Sequence, residues 1–93
     1  MNFDEYQLKV QETALYPENA KIIYPALGLT GEAGELAIQV KKIIRDDGGN
    51  LTPERKEKIV DELGDVLWYC AALASDIEMS LDAIAQANLL KLA

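Results

Sequence analysis

Two short acidic clusters, Gly31-Glu32-Ala33-Gly34-Glu35 and Asp61-Glu62-Leu63-Gly64-Asp65, each lie inside an otherwise apolar helical pattern. Between them runs Asp46-Asp47-Gly48-Gly49-Asn50, which breaks that pattern. The combination predicts two helices folded back on one another. On a helix the i, i+3 spacing sets Glu32 beside Glu35 and Glu62 beside Asp65, each pair projecting from one face a turn apart. With the first helix ending near Arg45 and the next opening at Pro53, Glu35 lies 10 residues before the turn and Glu62 lies 9 after it. Glu32 lies 13 before it and Asp65 lies 12 after it. At about 1.5 Å rise per residue, Glu35 and Glu62 are each roughly 14 Å from the turn. Both pairs come level in an antiparallel hairpin.

Spacing alone would not carry the reading, because 16 acidic residues in 93 generate roughly three such pairs by chance. Glu54 and Glu57 are read as one of these. Glycine sets the two clusters apart. In a helix interior it costs about 1 kcal/mol relative to alanine, and Gly31, Gly34 and Gly64 all fall within a turn of the acids. That predicts close approach by another backbone or a ligand. Four carboxylates held together repel, and proteins resolve such a cluster by protonation or by binding metal. All-oxygen ligands favour hard cations such as magnesium.

The remaining pattern is helical, giving four helices and no strand. Asn2 followed by Glu5 has the form of a capping box, after which Phe3, Tyr6, Val10 and Ala14 recur at helical spacing until Pro17 ends the run. Glu18 to Ile23 reads as a connection, and Pro25 suits a first helical position. Leu36, Val40, Ile43 and Ile44 are the expected buried face of the second helix. Thr52 and Pro53 form an N-cap with proline behind it. In the third helix Ile59, Leu63, Val66, Cys70, Leu73 and Ile77 share one face. Ser80 is placed to cap a last helix whose Leu81, Ile84 and Leu92 face inward. The Asp46 to Asn50 loop lacks the order of a calcium hand and reads as a solvated turn.

Composition narrows the function. A net charge of −7 disfavours a surface for duplex nucleic acid, which draws on clustered Lys and Arg. The chain has no histidine, which removes the usual ligands of di-iron bundles and zinc sites and the base of a Ser-His-Asp triad. Cys70, the single cysteine, reads as a small buried hydrophobe, consistent with a reducing cytoplasm. The N-terminus has neither a basic n-region nor an apolar h-region, and no apolar run approaches the roughly 20 residues that span a bilayer. The expectation is a cytoplasmic protein without a membrane partner. At this length a single chain buries only about 60 to 65% of its unfolded surface, so a partner subunit would help.

The string Leu27-Gly28-Leu29-Thr30-Gly31-Glu32-Ala33-Gly34-Glu35-Leu36, followed after a helix and loop by Asp61-Glu62-Leu63-Gly64-Asp65, closely resembles the MazG-like family of all-α nucleoside triphosphate pyrophosphohydrolases. That family's signature is E-x-x-E, a variable spacer, then E-x-x-D. The strong match covers about Tyr24 to Cys70. It implies an all-α, four-helix subunit with an antiparallel central helix pair, completed by dimerisation as a homodimer or dimer of dimers. It also implies hydrolysis of a nucleoside triphosphate to the monophosphate and pyrophosphate, with Mg2+ required and Mn2+ as a substitute.

By position the resemblance makes Glu32, Glu35, Glu62 and Asp65 the metal ligands. Lys58 matches a lysine directed at phosphate, and Asn88 with Lys91 matches a later Asn-x-x-Lys element directed at the nucleotide. The arginine expected shortly after that lysine would fall beyond Ala93. Residues 1–93 are therefore expected to form one MazG-like helical domain short of a C-terminal extension. Glu32 or Glu35 is the expected activator of the attacking water. Trp68, one turn beyond Asp65, suits either a contact to the base or the core. Lys58 alternatively pairs along its helix with Glu62 or Glu54. A different class of function remains alongside the enzyme, a non-catalytic, metal-stabilised helical module for dimerisation or interaction.

Overall fold

The computed structural model describes residues 1–93. It contains helices α1 (Phe3–Thr13), α2 (Ile23–Asp46), α3 (Pro53–Asp76) and α4 (Leu81–Leu92), with one 3₁₀ turn at Glu18–Ala20. There is no strand, as the helical periodicity predicts. Three helices open on the side chains that the sequence marks. Asn2 Oδ1 accepts the Glu5 amide at 2.9 Å, and its Nδ2 donates to Glu5 Oε1 at 3.0 Å. Thr52 Oγ1 accepts the Arg55 amide at 3.1 Å ahead of α3, and Ser80 Oγ accepts the Ala83 amide at 3.0 Å ahead of α4. Each such cap stabilises its helix by about 1 kcal/mol.

α2 begins differently. Its N-cap is Ile22, at φ 70 and ψ −55, and the Ile23 amide donates back to the Lys21 carbonyl at 2.8 Å. This is a γ-turn of the rare, strained hand, here at a β-branched residue, and such backbone costs on the order of 1–3 kcal/mol. The Ile22 amide in turn donates to Asp76 Oδ2 at 2.9 Å, which ties the entrance of α2 to the last residue of α3. Because the helix starts at Ile23, Pro25 is its third residue rather than its first. It is buried there without penalty, since first-turn amides have no intrahelical partner.

α2 and α3 pair as the predicted hairpin, while α1 and α4 pack on one another and on α3. At the turn, the Asp47 and Gly49 amides both donate to the Ile43 carbonyl, at 3.2 and 3.0 Å. Gly48 and Gly49, at φ 63 and 80, supply the left-handed backbone that reverses the chain. The turn is more than a solvated loop. Arg55 Nε donates to Asp47 Oδ2 at 2.8 Å, and both side chains of this pair are largely buried. The fully buried core lies at the other end, where Val10 meets Ala71 and Ala72, flanked by Tyr6, Tyr16, Trp68 and Leu81. Alanine on α3 lets α1 approach closely.

A buried polar residue fastens this end. Gln7 Nε2 donates to Ser75 Oγ at 3.0 Å and to the Met79 carbonyl at 2.9 Å, and Gln7 Oε1 accepts the Leu81 amide at 2.9 Å. It thereby joins α1 to the α3–α4 connection. That connection closes α3 with a Schellman pair, Met79 amide to Ala74 carbonyl and Glu78 amide to Ser75 carbonyl, with Glu78 at φ 59.

Several expected core positions lie on the surface of this subunit. Val40 and Ile44 on α2, Leu63 and Ile77 on α3, and Leu92 on α4 are exposed, Ile44 by 77% and Leu92 by 71%. Phe3 is exposed as well. Periodicity marks an apolar face, but α2 has only α3 to cover it. The Cα radius of gyration is 15.4 Å, against about 12 Å expected for a compact chain of this length. No helix is long and apolar enough to cross a membrane.

Candidate metal centre

The hairpin is held at two levels. Nearer the turn, Arg55 Nη1 donates to Gln39 Oε1 at 2.8 Å while the same guanidinium holds Asp47. Farther from it, the Tyr69 ring lies against Gly28, where an added Cβ would fall within the ring's van der Waals envelope. Gly28 is thus the glycine that permits close approach. Gly31, Gly34 and Gly64 have nothing within 4 Å of a built Cβ, so the expectation of close contact at those three is not met within the subunit.

Between the two anchor points, carboxylate oxygens of Glu32 from α2 and of Glu62 and Asp65 from α3 all lie within 4.8 Å of one another. Glu35 is not in this group. Glu35 is exposed, yet its charge still reaches Glu62.

Electrostatics at the cluster are one-sided. Partial burial pushes the Glu62 carboxyl above the usual carboxylate range, helped by a hydrogen bond with Glu32 and by the charges of Glu32, Glu35 and Asp65. The ion pairs of the chain are elsewhere: Lys21–Glu18, Arg45–Asp46 and Arg55–Asp47. Ligands across a magnesium or calcium ion stand about 4 to 5 Å apart. Three hard oxygens at this separation, without a basic partner, fit a divalent cation.

The other sequence candidates lie outside the three-carboxylate group. Lys58 is exposed on α3 and forms no ion pair with Glu54 or Glu62. Asn88 and Lys91 are exposed on α4. Trp68 has a double character. Half-buried against the core, it donates Nε1–H to Thr13 Oγ1 at 2.8 Å. It also lines a hollow of about 310 Å³ with Glu32, Asp65 and Tyr69.

A second hollow of about 330 Å³, lined by Thr13, Leu15, Tyr16, Pro17, Tyr24 and Trp68, shares that indole. Tyr16 and Tyr24 stack at 4.9 Å, Tyr24 and Tyr69 lie 6.4 Å apart, and Trp68 meets Tyr69 edge-on at 4.9 Å. Sequence reasoning missed this aromatic row, although one signal was present. The count from the turn that levels Glu32 with Asp65 also levels Gly28 with Tyr69.

The fold and site define an all-α protein with a cluster of three carboxylates, able to hold a cation, on a helix hairpin. Residues 25–93 match the model of the MazG nucleotide pyrophosphohydrolase domain, and the chain belongs to that family. It is also similar to the Gene 37 protein of Mycobacterium phage L5, with 43% identity over 98 aligned positions covering 99% of this chain and 86% of the relative. No solved structure matches the chain.

Proposed function

We propose that the chain hydrolyses a nucleoside triphosphate to the monophosphate and pyrophosphate, using Mg2+, or Mn2+ in its place, bound by Glu32, Glu62 and Asp65. The observation that carries this reading is the convergence of three carboxylates from two helices within 4.8 Å, none of them in an ion pair. When bound, the cation neutralises charge that spreads over the phosphate oxygens as water attacks the α-phosphorus and the bond to the bridging oxygen breaks. Glu35, beside the cluster but outside the three-carboxylate group, is assigned to orient that water and accept its proton. Trp68, at the border of the two hollows, is assigned to the base side of the substrate. Lys58, Asn88 and Lys91 keep the phosphate roles that the family resemblance implies.

The working unit in this proposal is a homodimer or a dimer of dimers. Leu27, Val40, Ile44, Val60 and Leu63 expose large apolar side chains on the hairpin, and the subunit is extended for its length. A second copy covering them would supply the burial that one chain lacks. Pyrophosphate release from a panel of common and damaged deoxynucleoside triphosphates with Mg2+ tests the activity. Glu35→Gln is expected to lower it at least 100-fold while the helical signal persists. Equal activity in that variant would remove Glu35 from the mechanism. Absence of turnover on the whole panel, with chelation still lowering the melting temperature or dissociating the dimer, would replace the enzyme with the metal-stabilised module.

A further inference from the structure

The strained turn at Ile22 is not part of the cation centre, yet the carboxylate that restrains it also restrains an aromatic wall. Asp76 ends α3, and one of its oxygens, Oδ2, accepts both the Tyr16 hydroxyl at 2.7 Å and the Ile22 amide at 2.9 Å. One atom therefore fixes two separate stretches of chain to α3. The first carries Leu15, Tyr16 and Pro17, one side of the aromatic hollow. The second carries Tyr24, two residues beyond Ile22, which lies on Tyr16 with ring centres 4.9 Å apart. Trp68 completes the hollow and borders the space that holds Glu32 and Asp65.

A β-branched residue at φ 70 persists only where its surroundings over-determine it, and such positions gather at ligand-binding sites. Here the restraining group is Asp76. The strain is thus maintained where Tyr24 must be held against Tyr16, within reach of the indole that leads to the carboxylates.

We propose that Asp76 is a positioning residue, whose carboxylate sets the spacing of Tyr16, Tyr24 and Trp68 and so shapes a subsite for the planar, non-phosphate end of the substrate. The inference rests on the nucleotide reading above for the identity of that end. It separates recognition of the ring from recognition of the phosphates. Loss of Asp76 loosens the wall and leaves the carboxylate cluster in place.

Calorimetric titration of the full chain with Mg2+ tests this, using as probes the α,β-imido analogues of the four common deoxynucleoside triphosphates and of dUTP, and inorganic tripolyphosphate as the ring-free control. Asp76→Ala is expected to weaken the tightest-binding analogue about tenfold while tripolyphosphate stays within twofold. Asp76→Asn keeps an oxygen acceptor at the same place and is expected to stay within threefold of wild type. Equal loss on both probes, loss on neither, or Asn behaving as Ala would overturn the proposal. Should Asp76→Ala lose its helical circular dichroism, Tyr16→Phe carries the comparison, with about threefold selective weakening expected and no selective change overturning it.

Failure of the hydrolase reading is distinguishable from failure of this one. Asp76-dependent selectivity without pyrophosphate release sinks the activity and sustains the subsite. Turnover with selectivity indifferent to Asp76 does the reverse. Absence of analogue binding in the wild type overturns the subsite outright.

Discussion

Replacing Gly28 by alanine adds one methyl group where α2 meets the Tyr69 ring of α3. The new Cβ would lie against three atoms of the Tyr69 ring, Cδ1, Cε1 and Cζ, and Trp68 packs edge-on against that ring at 4.9 Å. Overfilling a packed site costs about 1–3 kcal/mol, and contact with three ring atoms places this case at the upper end. Alanine returns about 1 kcal/mol through helix propensity. The net expectation is a loss of about 2 kcal/mol, or roughly 10 °C in melting temperature for a domain of this size. The same substitution at Gly31, Gly34 or Gly64 meets nothing within 4 Å and should stabilise an isolated subunit by about 0.5–1 kcal/mol. Thermal unfolding followed by circular dichroism at low protein concentration compares the four variants directly. A Gly28→Ala protein as stable as the wild type would refute the assigned packing of Tyr69 against α2.

Gln7→Leu keeps the side-chain volume but strands the Leu81 amide and the Met79 carbonyl that Gln7 now satisfies; it should cost about 2 kcal/mol, read as a lower urea midpoint at unchanged slope. Glu62 supplies a test of charge at the centre. Its folded-state value lies above the ordinary carboxylate range, so its contribution to stability is complete below that range and is lost as pH rises through the raised value. In chelator, Glu62→Gln should therefore match wild type near about pH 4 and exceed it increasingly toward about pH 7. Excess Mg2+ should reverse that order. A difference in melting temperature that does not change with pH would contradict the electrostatic account.

The parts of the molecule legible in the sequence are those set by neighbours in the chain. Asn2, Thr52 and Ser80 each cap through a residue three positions away. The hairpin level follows from constant helical rise on either side of a short break, and it brings Glu32 opposite Glu62 and Asp65. Rise does not specify rotation about the axis, so it does not say which carboxylate oxygens converge, and the three that do belong to Glu32, Glu62 and Asp65. Contacts between distant residues left no local mark. Gln7 meets Met79 across 72 positions, Tyr16 meets Asp76 across 60, and Ile22 meets Asp76 across 54. Val40, Ile44 and Leu92 show a further gap, since an apolar stripe states that something should cover it without stating what.

The Arg55 clamp bears on how the chain folds. Its partners, Asp47 and Gln39, are only 8 and 16 positions away, so closing this end costs little loop entropy. Short-range closure of that kind is fast, and contacts beyond it can form by zipping outward along two growing helices. Mutual repulsion among the carboxylates then acts on arms already joined at their base, where it can fray the open end without separating the pair.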